Sequence, residues 1–152
     1  MDINAAIDNL ATTLQADAGL TAWRTTHFAG KAFTVIKGNR SLRQISPNQI
    51  PALIFEIEPM EVDERLLGQV SDVDGAISFG LVWQQPDPEV AFAQRVGLPE
   101  LIIKAVMTNR KLGGAAKRAV VSKITPMDGD DSAPNVRMVR VTVDAQWDVT
   151  RV

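Results

Sequence analysis

Between Val136 and Val149 apolar and polar residues alternate almost without interruption. Val139, Val141, Val143, Ala145, Trp147 and Val149 take every second place, and Arg140, Thr142, Asp144, Gln146 and Asp148 stand between them. A strict period of two belongs to a strand, whose successive side chains point to opposite faces. The segment therefore predicts a long strand with one dry face and one wet face. The rest of the chain has to cover the dry face, so a sheet packed on one side is the architecture that follows.

The same period recurs twice. From Ala76 to Gln84, Ile77, Phe79, Leu81 and Trp83 point one way and Ala76, Ser78, Gly80 and Val82 the other. The second set is small enough for another backbone or a neighbouring subunit to approach closely. From Ala52 to Glu58, Leu53, Phe55 and Ile57 share one face and Glu56 and Glu58 the other. Residues 32–37 and 118–125 read as shorter strands. The stretch from Lys37 to Pro51 reads as a long loop, residues 59–75 as an acidic loop with at most some strand extension, and MDGDDSAPN as a turn.

Helical spacing appears in two places. Asp2 is placed to cap a helix over about residues 3–17, with Ile3, Ala6, Ile7, Leu10, Ala11 and Leu14 as its buried stripe and Gly19 as its stop. Asp87 and Pro88 open a second helical stretch that runs to Asn109, and Gly97 and Pro99 predict a kink or two abutting helices. Leu98, Leu101, Ile102, Ala105 and Val106 form its buried side, and Gly113 and Gly114 end it. Consecutive strands without crossover helices imply a mostly antiparallel sheet. The expected class is α+β, with about five strands flanked by two main helices, in a single domain spanning 1–152 with no internal repeat.

Several functions are removed by composition. The chain has no cysteine, which excludes disulfides, thiolate metal sites and cysteine nucleophiles. Its net charge of −2 argues against bulk coating of DNA or RNA. No apolar run approaches the ~18 residues of a membrane span. The opening MDINAAIDNL lacks the basic start and apolar block of a signal peptide.

Chemistry-bearing groups are sparse. The sole histidine, His27, has no carboxylate or second histidine near it in sequence, and both metal ligation and base catalysis need such companions. Glu56, Glu58, Glu61, Asp63 and Glu64 supply oxygens of the kind hard cations want, but without a calcium-loop pattern. Asp128-Gly129-Asp130-Asp131 reads as a turn first. Gly113-Gly114 follows a helix and precedes a strand, the reverse of a phosphate-binding loop. GxSxG and SxxK are both missing. No residue is assigned to catalysis, to a cofactor or to a metal, and no cofactor is expected. The competing enzyme reading is a metal-dependent activity at Glu56 and Glu58. A small nucleic-acid-binding module is a further alternative.

Two basic stretches remain, Lys31, Lys37, Arg40 and Arg43 around the first long loop, and Arg110, Lys111, Lys117 and Arg118 around the Leu-Gly-Gly turn. Solvation or a helix C-terminus accounts for them. The sharper expectation is contact between subunits, with Lys37, Arg40 and Arg43 meeting Glu56, Glu58 and Glu61 of a neighbour, head to tail in a ring.

The element order, with certain phrases in place, resembles the tail terminator (tail completion) proteins of long-tailed bacteriophages. The features are the amphipathic opening helix, Ile50-Pro51-Ala52-Leu53-Ile54 after a long loop, the exit Asn109-Arg110-Lys111-Leu112-Gly113-Gly114, and a long last strand closing near Trp147. The resemblance spans almost the whole chain. The break QRVGLPEL has no clear counterpart in the family. The resemblance implies a curved antiparallel sheet flanked by helices, and a homohexameric ring that caps the tail tube, ends its growth and offers a surface for joining the head. The implied partners are further copies of the chain, the tail tube protein, the head–tail connector protein, and DNA passing through the lumen without sequence-specific binding; no membrane is involved. The implied place is the head-proximal end of the virion tail, after synthesis in the host cytoplasm. A connector or stopper, or a tube subunit, is the neighbouring alternative.

Overall fold

The computed structural model describes residues 1–38, 44–62, 71–129 and 133–149. Two helices, α1 (Ile3–Ala16) and α2 (Ala18–Phe28), precede β1 (Thr34–Lys37), a 3₁₀ turn (Pro47–Gln49) and β2 (Ala52–Ile57). Next come β3 (Glu61–Val62), β4 (Ser71–Gln84), α3 (Pro88–Arg95) and α4 (Leu98–Thr108). The Leu112–Gly114 turn, β5 (Arg118–Asp128) and β6 (Val136–Val149) complete the described elements. The strands form one sheet in the order β1-β2-β4-β6-β5, with β3 added to β4. Every pair is antiparallel except β1 with β2. The α+β class and the mostly antiparallel sheet agree with the expectation.

The spine of the sheet is the β4–β6 ladder, in register from Ser71↔Val149 to Gln84↔Val136. That register puts Ile77 beside Val143, Phe79 beside Val141 and Leu81 beside Val139. All six are buried, and with Leu53 and Phe55 of β2 they make the floor of the main core. Leu10 and Leu14 of α1, Leu20 and Trp23 of α2, and Leu98 and Ile102 of α4 pack down on that floor. Truncating one such leucine to alanine costs about 2–5 kcal/mol.

Asp2 caps α1 by accepting from the Ala5 amide at 2.9 Å, as its sequence position predicts. The end of α1 differs from the expectation. Gly19 does not stop the helix; it lies in the first turn of α2. The break comes at Asp17, whose backbone is extended and whose carboxylate accepts from the Leu20 amide at 2.9 Å. Gly19 serves close packing instead, because a Cβ there would meet Leu101 Cδ2 of α4 at 2.7 Å.

The kink expected near Gly97 is present. Gly97 has φ +80, a left-handed conformation that suits glycine, and it separates α3 from α4. Strand β4 begins at Ser71, five residues before the expected Ala76. The acidic residues there fit a strand because Asp72 and Asp74 take the wet face while Val73 is buried. The space beside Gly80 on the outer face is filled from within the chain, since a Cβ there would meet Met138 Sδ at 2.7 Å. A second, smaller apolar cluster (Ile36, Ile45, Ala52, Ile54, Val82 and Val136) covers one end of that outer face. Both edges of the sheet are interrupted or short: β1 has four residues, and β5 carries a register shift at Val121/Lys123 and Pro126.

One buried side chain joins helices to sheet. Gln94 of α3 accepts from Trp83 Nε1 through its Oε1 at 2.9 Å, and its backbone oxygen accepts from Trp23 Nε1 at 2.8 Å. Replacing Gln94 by leucine leaves the Trp83 N–H buried without an acceptor. The expected result is a loss of about 1–3 kcal/mol in urea unfolding.

Candidate interaction surface

The face of the sheet turned away from the helices is wet and charged. The register places Asp72, Asp74 and Ser78 of β4 on it, with Glu56 of β2, Arg140, Thr142, Asp144 and Asp148 of β6, and Arg118 and Lys123 of β5. Strand parity alone does this, because their neighbours at odd steps carry the core.

At the centre, Arg140 Nη2 lies 2.9 Å from Glu58 Oε1 and 3.7 Å from Glu56 Oε2. Ser78 Oγ donates to the same Glu58 oxygen at 2.6 Å. These contacts hold the Glu58 carboxyl below the usual carboxylate range, the Ser78 hydrogen bond first and the Arg140 guanidinium second. At one end, Lys117 Nζ bridges Asp148 at 2.5 Å and Asp72 at 2.6 Å. That bridge raises the Lys117 ammonium and lowers the Asp72 carboxyl. Close by, Gln146 Nε2 donates to Asp74 at 3.1 Å and Ser122 Oγ to Asp144 at 3.0 Å.

Two open depressions mark this face. One, of about 580 Å³, has Gly75, Ala76 and Ala145 as its floor and Asp74, Asp144 and Arg118 at its rim. The other, of about 490 Å³, lies over Glu58, Lys123, Arg140 and Thr142. Both are shallow openings on a sheet and neither holds an ordered nucleophile and base.

The residues singled out as subunit contacts are not assembled into one site. Lys37 is paired with Asp8 of α1 at 2.6 Å. Its register partner is Phe55, so it sits on the helix side of the sheet, while Glu56 sits on the other. Glu56 and Glu58 come together, but with Arg140 of their own chain. Glu61 is in β3, its backbone paired with Asp74, and its side chain lies outside the described residues, as do Arg40 and Arg43.

For metal binding the outcome is physical: the guanidinium of Arg140 stands where a cation would sit between Glu56 and Glu58. Among the described residues no three histidine, aspartate or glutamate side chains group to hold an ion. His27 lies in the last turn of α2, its ring 5.6 Å from Trp23 in an edge contact. Sequence reasoning missed the Arg140 and Lys117 bridges. Arg140 was legible as a wet-face residue, but its partners are 82 positions away in sequence for Glu58, a distance no local pattern spans.

No family model matches the chain, and no curated protein matches it. Solved structures do match. Among them is a chain from the virion of a native gene transfer agent particle, with a TM-score of 0.51 and 11% sequence identity. The match covers 92% of this chain and 92% of that one. The likeness is one of fold.

Glu58, Asp72 and Asp128 all have carboxyl groups held below their ordinary values, Asp128 by Arg95 first and then Arg137. A depressed carboxyl contributes stability that is present above its unfolded value and lost as pH falls through its folded value. Thermal unfolding followed from neutral pH downward should therefore show stability falling below the ordinary carboxylate range. Glu58→Gln should make that fall shallower, and an unchanged slope would mean the Arg140 bridge is too solvated to matter.

Proposed function

We propose that this chain is a non-enzymatic structural subunit of a phage-type virion, acting as a tail terminator. The observation that carries the reading is the fold shared, along nearly the full length of both chains, with a virion component. The phrases Asn109–Gly114 and Ile50–Ile54 and the long closing strand add the resemblance to the tail terminator family. A sheet face whose carboxylates Glu58, Asp72 and Asp148 are held by Arg140 and Lys117, with no nucleophile, base and orienting group assembled among the described residues, fits a role made of surfaces.

On this reading copies of the chain close into a homohexameric ring. The ring docks on the last ring of tube protein and buries the edge to which further tube subunits would add. Its opposite side then serves the head–tail connector, at the head-proximal end of the tail. The action is steric: a standard interface on the order of 800 Å² per partner, repeated around a ring, holds firmly without any covalent step. DNA passes through the lumen, and carboxylates outnumbering cations on the outer sheet face would let phosphate slide past without capture. Lys37, Arg40 and Arg43 of one copy facing Glu56, Glu58 and Glu61 of the next remain a proposed contact. For Lys37 and Glu56 it has to form between copies, because the sheet separates them within one.

The test is electron microscopy of lysates after an early stop codon is placed in this gene. Overlong tails without heads are the expected result. Tails of normal length beside separate full heads would replace the terminator reading with a connector or stopper. Absence of tails altogether would point to a tube subunit.

A further inference from the structure

Among the described lysines and arginines, two thirds have partners: Lys37, Arg95, Lys104, Lys117, Arg137 and Arg140 are ion-paired, and Arg24 and Lys31 donate to backbone carbonyls. The remaining four, Arg110, Lys111, Arg118 and Lys123, have no such partner among the described residues, and all stand between the exit of α4 and the middle of β5. From Lys104 to Lys123 the sequence contains six cations (Lys104, Arg110, Lys111, Lys117, Arg118 and Lys123) and no carboxylate. Beside them, α4 turns Ile103 and Met107 to solvent, 40% and 53% exposed.

The start of α3 has the opposite character. Glu89 and Phe92 share one side of α3 at i and i+3, and Val96 follows as its C-cap. Phe92 is 70% exposed and Val96 62%. No cation pairs with Glu89 or with the cap Asp87 among the described residues. An exposed phenylalanine beside further exposed aliphatics is the mark of an interaction site.

The end of α3 adjoins the last residues of β5, and the exit of α4 adjoins its first residues. Arg95, at the end of α3, donates to Met127 O and Asp128, at the last residues of β5. The exit of α4 leads instead to Lys117, whose amide donates to Gln146 O at the first residues of β5. The length of α4, on the order of 16 Å, stands between Val96 and the cationic exit. One pole is apolar and anionic, the other apolar and cationic, so each complements the other on a different molecule and neither complements itself.

We propose that a second copy of this chain docks here head to tail, Glu89 and Phe92 of one copy meeting Met107, Arg110 and Lys111 of the next. The contact rests on the reading of the chain as a ring-forming subunit and adds a second pair of surfaces to the contact proposed above. Phe92 is the apolar anchor, and the charges set polarity and register.

The natural absence of cysteine allows a direct test. Full-length chains carrying Phe92→Cys and Met107→Cys, both at exposed positions, are treated with a short bis-maleimide, separately and mixed. A covalent dimer is expected from the mixture and not from either chain alone, and the double variant should give a ladder of higher products. Glu89→Lys in the Phe92→Cys chain should reduce the mixed product several-fold, and Arg110→Glu in the other chain should restore it. A mixture that cross-links no better than the single chains overturns the contact. A double variant that stops at dimers overturns its head-to-tail sense. Native mass spectrometry of the unmodified chain separates the two ideas: hexamers without mixed cross-links leave the ring standing and place its contact elsewhere.

Discussion

The pairing of β4 with β6 is the constraint from which the rest of the molecule follows. Its ladder stays in one register from Ser71↔Val149 to Gln84↔Val136. With a side-chain period of two, that single register decides which residues are core and which are surface. A slip of β6 by one residue would turn Val139, Val141 and Val143 to water and bury Arg140, Thr142 and Asp144 together. The helices add nothing to this choice; they cover the face that the ladder has already made apolar. Gln94 then fixes how they sit, because two indole N–H groups need an acceptor and one residue of α3 supplies both.

Strand content was therefore the most legible part of the sequence. The limits of β6 follow from its alternation alone, and Asp2, Asp87 and Pro88 mark helix starts by chemistry that acts within a single turn. The failures have a common physical source. Gly19 carries a stop signal locally, but α4 lies against it and demands a residue without a side chain, so tertiary packing overrides the local signal. The opening of β4 is masked by Asp72 and Asp74, which lower apparent strand propensity yet are comfortable on a solvated face beside Lys117.

The surface was less legible than the core, again for a reason of range. Acidic and basic stretches are visible in sequence, but which charges meet is decided by a register joining distant segments. Glu56 and Glu58 look available when read alone and turn out to be held by Arg140. Lys37 looks like their complement and turns out to be on the other side of the sheet. Charge patterns thus identified the right residue classes, while the folded geometry sorted them into those already satisfied and those still unpaired.

The condition of the sheet edges carries one more consequence. β1 offers only four residues for pairing, and β5 is broken by a register shift and by Pro126, devices that deny an incoming strand a regular row of donors and acceptors. A subunit of the kind proposed, assembled at high local concentration, would face a standing risk of joining through backbone alone, without regard to side chains. With both margins blunted, association has to be negotiated by side-chain surfaces, which can be specific about partner, polarity and number. Order in the proposed ring would in that sense be protected by what the sheet refuses to extend.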